Sequence, residues 1–155
     1  MTAVRVGFVD TFVLRDRGTG LEALLLRRGP GGRNPGSWET VHGTIEPGES
    51  PVDAARRELV EETGLAALRL YNLSRVESLF WHATGEVILI PQFAVFVAPD
   101  AVARLSAEHD GAEWLPVTEA RARFAWPRER RAIDDILSIL GSGGGGLLDD
   151  VLRIS

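Results

Sequence analysis

The chain has 155 residues, of which 45% are apolar, so it is long enough to form one globular domain with a substantial core. Its 22 acidic and 17 basic residues give a net charge of −5, which argues against a binding surface for nucleic acid or anionic lipid. Because there is no cysteine, disulfides, thiolate zinc sites and a cysteine nucleophile are excluded.

The first ten residues, MTAVRVGFVD, lack the charged start and the long apolar stretch of a signal peptide. No apolar run in the sequence approaches the roughly 18 residues of a membrane span. We therefore expect a cytoplasmic protein.

The first part of the chain is predicted to form strands. β-Branched and aromatic residues predict a strand over Val4–Leu14. Leu21–Arg28 is predicted to be the returning strand of a hairpin, although its leucine run also fits a short helix. Glycine and proline predict a loop over Gly29–Gly36, and Trp38–His42 is predicted to be a short strand.

A helix with clear start and stop signals follows. The sequence EPGE at Glu46–Glu49 predicts a turn, because proline fixes φ near −65° and glycine allows a positive φ. Ser50 suits the N-cap, Pro51 suits the first helical position, and Asp53 suits the carboxylate of a capping box. Gly64 predicts the left-handed residue that ends the helix.

The rest of the chain is predicted to contain three strands and two helices. The strands are Ala67–Ser78, Glu86–Ala98 and Ala112–Leu115, and the helices are Thr118–Phe124 and Pro127–Leu140. Phe80–Gly85 is predicted to be a turn between the first two strands. This order of elements predicts an α/β fold in which a mixed sheet lies between helices.

The C-terminal residues are predicted to form an appendage. Residues 141–146 read GSGGGG, a composition that favours a flexible linker. The tail LLDDVLRIS is apolar enough to dock on the body of the protein or on a partner. We therefore expect one domain over residues 1–140 and a linker with a short tail over residues 141–155.

Three glutamates lie on one face of the helix that begins at Pro51. At about 100° per residue, Glu58, Glu61 and Glu62 fall within roughly 100° of arc. Like charges at these spacings destabilise a helix, and bound divalent cations would offset the repulsion. The alternative is an acidic face exposed to solvent, which is the common role of charged runs.

The wider pattern around these glutamates resembles a complete Nudix box. The stretch GTIEPGESPVDAARRELVEETGL, from Gly43 to Leu65, fills every fixed position of that family's motif, apolar positions included. The resemblance implies the α/β/α sandwich of the family, with a mixed sheet between helices, and hydrolysis of a diphosphate linkage. Such hydrolysis needs metal ions that neutralise the phosphate oxygens and lower the pKa of a bound water.

The resemblance also implies roles for individual residues. Glu58, Glu61 and Glu62 would bind the cations, which we expect to be Mg²⁺, with Mn²⁺ as the alternative. Glu49 and Arg57 would form a salt bridge that fixes the loop to the helix.

Glu108 and Glu61 are the two candidates for the general base. The loop SAEHDGAEWLP, which contains Glu108, resembles that of the dihydroneopterin triphosphate and dATP pyrophosphohydrolase branch of the family. The segments RVESLFWHATGEVILIPQFAVFV and FAWPRERRAI resemble the same branch. The alternative for Glu108 is a solvated acid on a loop. Gly43 would let the backbone approach a metal closely, so its carbonyl is a further candidate ligand.

Aromatic residues are the candidates for recognition of a nucleotide base, because stacking needs a flat apolar surface. Phe80 and Trp81 are the first choice, since large aromatics in a turn are less often part of a core. Trp114 and Trp126 are predicted to pack in the core instead.

Arg27 and Arg28 precede the loop that leads to the motif, and they are the candidates for phosphate contacts, as is Arg33 within that loop. The histidines are scattered without the spacing of metal ligands, so a zinc site is not expected. The three histidines are His42, His82 and His109.

The predicted function is that of a metal-dependent pyrophosphohydrolase for a nucleoside triphosphate or a related nucleoside or pterin polyphosphate, with a homodimer as a candidate assembly. One alternative is a Nudix hydrolase for ADP-ribose or dinucleoside polyphosphates, and another is a module that senses a nucleotide without hydrolysing it. The isomerase branch, which acts on isopentenyl diphosphate, is disfavoured by the intact motif and the absence of cysteine.

Overall fold

An eight-stranded mixed sheet runs through the molecule, and the computed structural model describes residues 1–155. The strands are β1 (Val4–Val6), β2 (Phe8–Asp16), β3 (Leu21–Arg28), β4 (Trp38–Glu39), β5 (Val41–Thr44), β6 (Arg69–Trp81), β7 (Glu86–Phe96) and β8 (His109–Pro116). The helices are α1 (Pro51–Thr63), α2 (Val117–Arg123), α3 (Pro127–Leu140) and α4 (Asp149–Leu152), with a 3₁₀-turn at Gly146–Leu148. None of these helices combines the length and the apolar character that a membrane crossing requires.

Strand β2 connects the parts of the sheet that surround the motif. Its first half pairs antiparallel with β5, so that Val9 lies opposite Gly43 and Asp10 lies opposite His42. Its last three residues pair antiparallel with β3, and Asp10–Leu14 pair parallel with β7. Because β5 leads into the turn before α1, this pairing attaches the start of the motif to the centre of the sheet.

Helices cover both faces of the sheet, which confirms the predicted α/β/α sandwich. On one face, Ala54, Ala55 and Leu59 of α1 pack against buried apolar residues of β2, β3 and β7. On the other face, Ile133 and Ile136 of α3 pack with a separate apolar cluster that includes residues of α2 and the sheet. Burying these two faces supplies the main driving force for folding.

The predicted ends of α1 are confirmed. The Ser50 hydroxyl accepts a hydrogen bond from the backbone N–H of Asp53 at 3.1 Å, and Pro51 occupies the first helical position. Gly64 ends the helix with a φ of 66°, and its N–H donates to the Val60 carbonyl. The Asp53 carboxylate lies 3.8 Å from Arg56 instead of forming the reciprocal bond of a capping box.

Several predicted boundaries are wrong because local sequence does not show strand pairing. The single strand predicted over Val4–Leu14 is two strands, β1 and β2, which are separated at Gly7 and pair with different parts of β7. The turn predicted at Phe80–Gly85 is shorter, since β6 continues to pair with β7 through Trp81. Strand β8 begins at His109 because its whole length pairs with β3.

The C-terminal tail docks on the body of the protein. Leu152 is buried among apolar residues of the α3 layer, and the Tyr71 hydroxyl donates to the Asp149 carboxylate at 2.6 Å. The glycine-rich segment, for which composition favours flexibility, is held by a hydrogen bond from Arg69 to the Gly143 carbonyl at 2.9 Å. The backbone N–H of Ile154 donates to the Leu70 carbonyl at 2.8 Å. Contacts with residues far away in the sequence therefore hold the tail, although its local composition favours flexibility.

Leu152→Ala is expected to release the tail from the body, because Leu152 is 6% exposed and its side chain supplies the apolar contact of α4. Replacing a buried leucine by alanine costs about 2–5 kcal/mol of folding free energy. Here the cost should lie at the low end of that range, because the tail can detach while the rest of the domain stays folded. Hydrogen exchange should become faster over residues 143–155. Val151→Ala, at a position that is 77% exposed, is the control and should leave exchange unchanged. Equal effects of the two substitutions would contradict the docked tail.

Candidate active site

Arg57 joins the turn before α1 to the helix itself. Its guanidinium makes a two-pronged pair with Glu49, with both N···O distances at 2.8 Å, and it donates to the Thr44 carbonyl at 2.8 Å. Hydrogen bonds from Arg57 lower the pKa of Glu49 to about 2. Planar, charge-assisted pairs of this geometry fix orientation as well as contributing energy. The sequence resemblance implies this salt bridge, and it is present.

Glu58 lies directly against the backbone of β5. A Cβ atom at position 43 would approach the Glu58 carboxylate carbon to 2.0 Å, so glycine lets Glu58 lie in this position. The Glu58 carboxylate also accepts from Arg57 at 2.7 Å, yet burial raises its pKa above the ordinary value. Glu61 lies farther out, with a side chain that is 57% exposed and 3.1 Å from Arg57.

Glu62 is the buried carboxylate of the motif. It is 3% exposed, and one oxygen, Oε2, accepts from the backbone N–H of His42 at 3.1 Å. Its other oxygen, Oε1, has no hydrogen-bond partner. Burial, followed by the charges of Glu58 and Glu108, raises the pKa of Glu62 to about 10. A buried carboxylate with an unpartnered oxygen is costly unless a proton or a cation compensates it.

The start of β8 and the residue before it bring two further side chains to this carboxylate. One ligand atom from each of Glu62, Glu108 and His109 lies within 4.8 Å of the others. Glu108 is exposed, whereas Glu62 and His109 are buried. Carboxylate oxygens, one of them unpartnered, are the donors that hard divalent cations prefer, so these residues fit a metal site.

A cavity of about 220 Å³ is connected to this cluster through two of its lining residues, because His42 contacts Glu62 and Glu39 contacts His109. Its walls include aromatic, apolar and cationic side chains, which suits a flat ring attached to anionic groups. Two arginines lie over aromatic rings: Arg33 is 4.9 Å from the ring centroid of Trp81, and Arg128 is 5.0 Å from that of Trp126. The lining residues are Phe8, Arg28, Arg33, Asn34, Glu39, His42, Leu79, Trp81, Ile90, Trp126 and Arg128.

The sequence profile of the NUDIX domain matches residues 5–136 of the chain. The chain belongs to the Nudix family. Octanoyltransferase of Myxococcus xanthus is 41% identical over 133 residues, which are 81% of this chain and 35% of that protein. The asymmetrical bis(5'-nucleosyl)-tetraphosphatase of Rattus norvegicus is 34% identical over 104 residues, which are 66% of this chain and 69% of that protein. The chain therefore spans about a third of the first relative and about two thirds of the second.

Solved Nudix structures share this fold. A binary complex of the C. elegans Ap4A hydrolase has a TM-score of 0.73 at 22% identity and covers 90% of this chain and 99% of its own. The E. coli dihydroneopterin triphosphate pyrophosphohydrolase has a TM-score of 0.65 at 21% identity, with coverages of 89% and 99%. The predicted membership of the Nudix family is confirmed. The named branch is one of several neighbours, so its substrate stays a prediction.

The Nudix cavity does not use all the residues that the sequence suggests. Trp81 lines it, but Phe80 is 59% exposed, because successive side chains of β6 point to opposite faces. Arg27 is also absent from the lining, and it pairs with Asp110 at 2.7 Å. Trp126, predicted to be core, lines the cavity instead.

Arg28 and Trp114 also have definite places in the Nudix domain. Arg28 lines the cavity, but its guanidinium donates to Glu39 at 2.9 Å and to the Arg33 carbonyl. Arg28 therefore lines the cavity while its hydrogen bonds hold Glu39 and the backbone of Arg33 in place. Trp114 packs against the apolar cluster under α1, as predicted.

A buried charge cluster beneath the cavity was not predicted from the sequence. Asp10 is fully buried and accepts from Arg128 and His42, both at 2.7 Å, and from Gln92 at 2.9 Å. Burial alone would raise the pKa of Asp10, but the hydrogen bond from His42 and the charge of Arg128 outweigh it and hold the pKa well below its usual range. The sequence does contain a signal for this cluster, because Asp10 lies inside an otherwise apolar strand. An aspartate is rarely buried without a charged partner, so its position predicts a buried ion pair.

Two other buried carboxylates were missed. Glu129 at the start of α3 accepts from the backbone N–H of Thr40 at 2.7 Å and of Trp126 at 2.9 Å, and burial raises its pKa to about 8. Glu39 pairs with Arg28 and with His109. Burial alone would raise the pKa of Glu39, but these two partners hold it below the ordinary value. Glu129 therefore joins α3 to the residue after β4, and Glu39 joins β4 to β8.

Proposed function

We propose that the protein is a divalent-metal-dependent pyrophosphohydrolase. Its substrate would be a nucleoside triphosphate or a related nucleoside or pterin polyphosphate, and water would attack phosphorus in the diphosphate linkage. The observation that carries the proposal is the pairing of two acidic side chains, Glu62 and Glu108, in one cluster. One oxygen of the buried Glu62 carboxyl group, Oε1, has no hydrogen-bond partner there. A polyphosphate would be repelled by these acids unless cations lay between them.

The proposed metal ligands are Glu58, Glu61 and Glu62, together with the Gly43 carbonyl. Glu58 and Glu62 are one helical turn apart, and a Cβ atom on Gly43 would overlap the Glu58 side chain, so the two residues lie close together. Oxygen donors of this kind suit Mg²⁺ and also Mn²⁺. When bound, the cation supplies positive charge that neutralises the phosphate oxygens and activates water.

The protein's own residues would position the reactants and accept a proton. Glu108 is the proposed general base, because it is open to solvent and lies beside Glu62. Glu61, also exposed, is the second candidate. Arg57, held by Glu49, would keep α1 in place against β5 through its bond to the Thr44 carbonyl. Its role is therefore to orient the acidic residues of the helix.

The base of the substrate would lie in the cavity beside these acids. Trp81 and Trp126 offer aromatic faces there, and Arg33 and Arg128 could exchange their contacts with the rings for contacts with phosphate or base oxygens. Arg33 has no carboxylate partner, whereas Arg128 is paired with Asp10. Arg33 is thus the cation of the lining that is free to bind an anionic substrate.

A substrate screen tests the proposal. The protein is incubated with Mg²⁺ or Mn²⁺ and dATP, dihydroneopterin triphosphate, ADP-ribose or diadenosine tetraphosphate, and the products are identified. Turnover of either triphosphate to a monophosphate and pyrophosphate supports it. Turnover of diadenosine tetraphosphate alone would favour the second candidate, a dinucleoside polyphosphate hydrolase, which the similarity to the rat tetraphosphatase supports. Tight binding without product would indicate a nucleotide sensor and reject hydrolysis.

Trp81→Ala is expected to raise KM by about 5- to 150-fold with a smaller effect on kcat. The substitution removes a stacking surface, and base–aromatic stacking contributes about 1–3 kcal/mol. Phe80→Ala is the matched control, because Phe80 neighbours Trp81 in β6 but points away from the cavity. Steady-state kinetics on the preferred substrate give both constants. A larger effect at Phe80 than at Trp81 would show that the base binds elsewhere.

A further inference from the structure

His109 is completely buried and uses only one of its two ring nitrogens. Its Nε2 lies 2.8 Å from Glu39 Oε1. The same carboxylate oxygen accepts a hydrogen bond from Arg28 at 2.9 Å. Because Glu39 is held as an acceptor in this way, the proton of a neutral His109 ring resides on Nε2. The lone pair of the ring is then on Nδ1.

The Nδ1 atom of His109 has no hydrogen-bond partner in the protein, although it is buried. It faces Glu62 Oε1, which is also buried and unpartnered, at a distance of 3.9 Å. This distance is too long for a hydrogen bond, whose range is about 2.7–3.2 Å. It is compatible with one ion bound to both atoms, since bonds of about 2.0–2.2 Å leave two ligand atoms up to roughly 4 Å apart.

Buried histidines that serve only to orient a loop normally bond through both nitrogens, because an unpartnered buried polar atom is unfavourable. In this structure the unpartnered nitrogen of His109 faces the carboxyl group of Glu62, and the carboxyl group of Glu108 lies within the same cluster. Both groups offer oxygen atoms that can bind a cation. Histidines that bind metals commonly donate the other ring N–H to a carboxylate, which fixes the ring and makes the free nitrogen a better donor. Glu39, supported by Arg28, occupies that supporting position.

We propose that His109 Nδ1 is a nitrogen ligand of a divalent cation that Glu62 also binds, with Glu108 beside it as the proposed general base. The proposal rests on the metal-dependent function proposed above and deepens it, because a nitrogen donor changes which ion the site prefers. Imidazole binds first-row transition metals more strongly than it binds Mg²⁺, whereas carboxylates accept both. The site therefore selects Mn²⁺ or Co²⁺ over Mg²⁺ to a greater degree than an all-oxygen site.

Pulsed electron paramagnetic resonance of the Mn²⁺-loaded protein tests for this bond directly. The wild-type spectrum should contain nuclear modulation from a directly coordinated ¹⁴N atom. Protein labelled with [¹⁵N]histidine should show ¹⁵N modulation instead, and this comparison needs no substitution. His109→Gln should remove the nitrogen signal. His82→Gln, at an exposed position in the turn between β6 and β7, should retain it.

Metal titration supplies a second readout that is independent of turnover. In His109→Gln, the ratio of Mn²⁺ affinity to Mg²⁺ affinity should fall by about tenfold or more, while Mg²⁺ affinity changes little. Glu39→Gln keeps the ring but loses its charged support, and Mn²⁺ affinity should fall by about 10- to 100-fold. This variant provides the affinity test where His109→Gln fails to fold.

Absence of nitrogen modulation in the wild-type protein, or a signal unchanged by histidine labelling, would overturn the proposal. So would equal Mn²⁺ to Mg²⁺ affinity ratios in the wild type and in His109→Gln. Neither result depends on finding a substrate. If the protein binds the metal without a nitrogen ligand, the His109 proposal fails but the proposed hydrolase function stands. If the metal has a nitrogen ligand but no substrate is turned over, the proposed hydrolysis fails and the His109 proposal stands.

Discussion

Glu62→Gln is expected to reduce turnover by about 10²- to 10⁴-fold while leaving the metal-free protein at least as stable as the wild type. Loss of one charged group at a site that stabilises developing charge has effects of this size on kcat. The stability expectation follows from burial, since Glu62 is 3% exposed and its Oε1 has no partner. Glutamine keeps an oxygen that can accept from the His42 N–H, and it removes the free-energy cost of keeping the buried Glu62 carboxyl group protonated.

The same substitution is expected to change how stability depends on pH. The folded state raises the pKa of Glu62 from 4.5 to about 10, so between these values the folded protein holds a proton that the unfolded chain has released. Metal-free wild-type protein should therefore lose stability as pH rises from about 5 to 9. Glu62→Gln should reduce this loss. Urea denaturation in the presence of a chelator measures it.

Divalent cations provide the complementary measurement. Ions that bind only the folded state stabilise it in proportion to their occupancy, so Mg²⁺ or Mn²⁺ should raise the wild-type denaturation midpoint more than that of Glu62→Gln. Glu119→Gln, on the exposed part of α2, is the control and should respond like the wild type. Unchanged turnover in Glu62→Gln, or a metal-free variant markedly less stable than the wild type, would contradict the role assigned to this carboxylate.

Features encoded by local sequence were predicted well. Ser50, Pro51 and Gly64 determine the ends of α1 through backbone preferences that act within a few residues. Helix α3 has the predicted bounds of Pro127 and Leu140 because its apolar stripe has helical spacing. The acidic face of α1 follows from the same geometry, since positions three and four apart share one side of a helix.

Features that depend on pairing between distant segments were predicted poorly. The contact of Glu39 with His109 joins residues 70 positions apart, and that of Asp10 with Arg128 spans 118 positions. No short pattern in the sequence specifies either contact. Trp81 and Phe80 differ in the same way, because strand pairing decides which of them faces the cavity. The position of Glu108 beside Glu62 likewise depends on how β8 pairs with β3.

Asp10→Ala is expected to lower the free energy of unfolding by about 3–5 kcal/mol, the cost of leaving one partner of a buried ion pair uncompensated. Asp10 is fully buried, and the side chain of Arg128 is 13% exposed. The substitution also removes the hydrogen-bond acceptor for His42 and Gln92. Because His42 and Arg128 both line the cavity, KM should rise as well.

A double-mutant cycle separates loss of the ion pair from general damage to the core. Arg128→Met alone leaves Asp10 buried without its cation, so it too should be strongly destabilising. The double variant, Asp10→Ala with Arg128→Met, should lose clearly less free energy of unfolding than the sum of the two single losses. The pH dependence provides a second check. The folded state lowers the pKa of Asp10, so its contribution is present above the unfolded value of 3.8 and is lost only as pH falls towards the lower folded value. Arg128→Met should therefore lose stability relative to the wild type mainly at neutral pH, and the difference should narrow in strong acid. Strictly additive effects in urea denaturation would show that Asp10 and Arg128 do not stabilise each other.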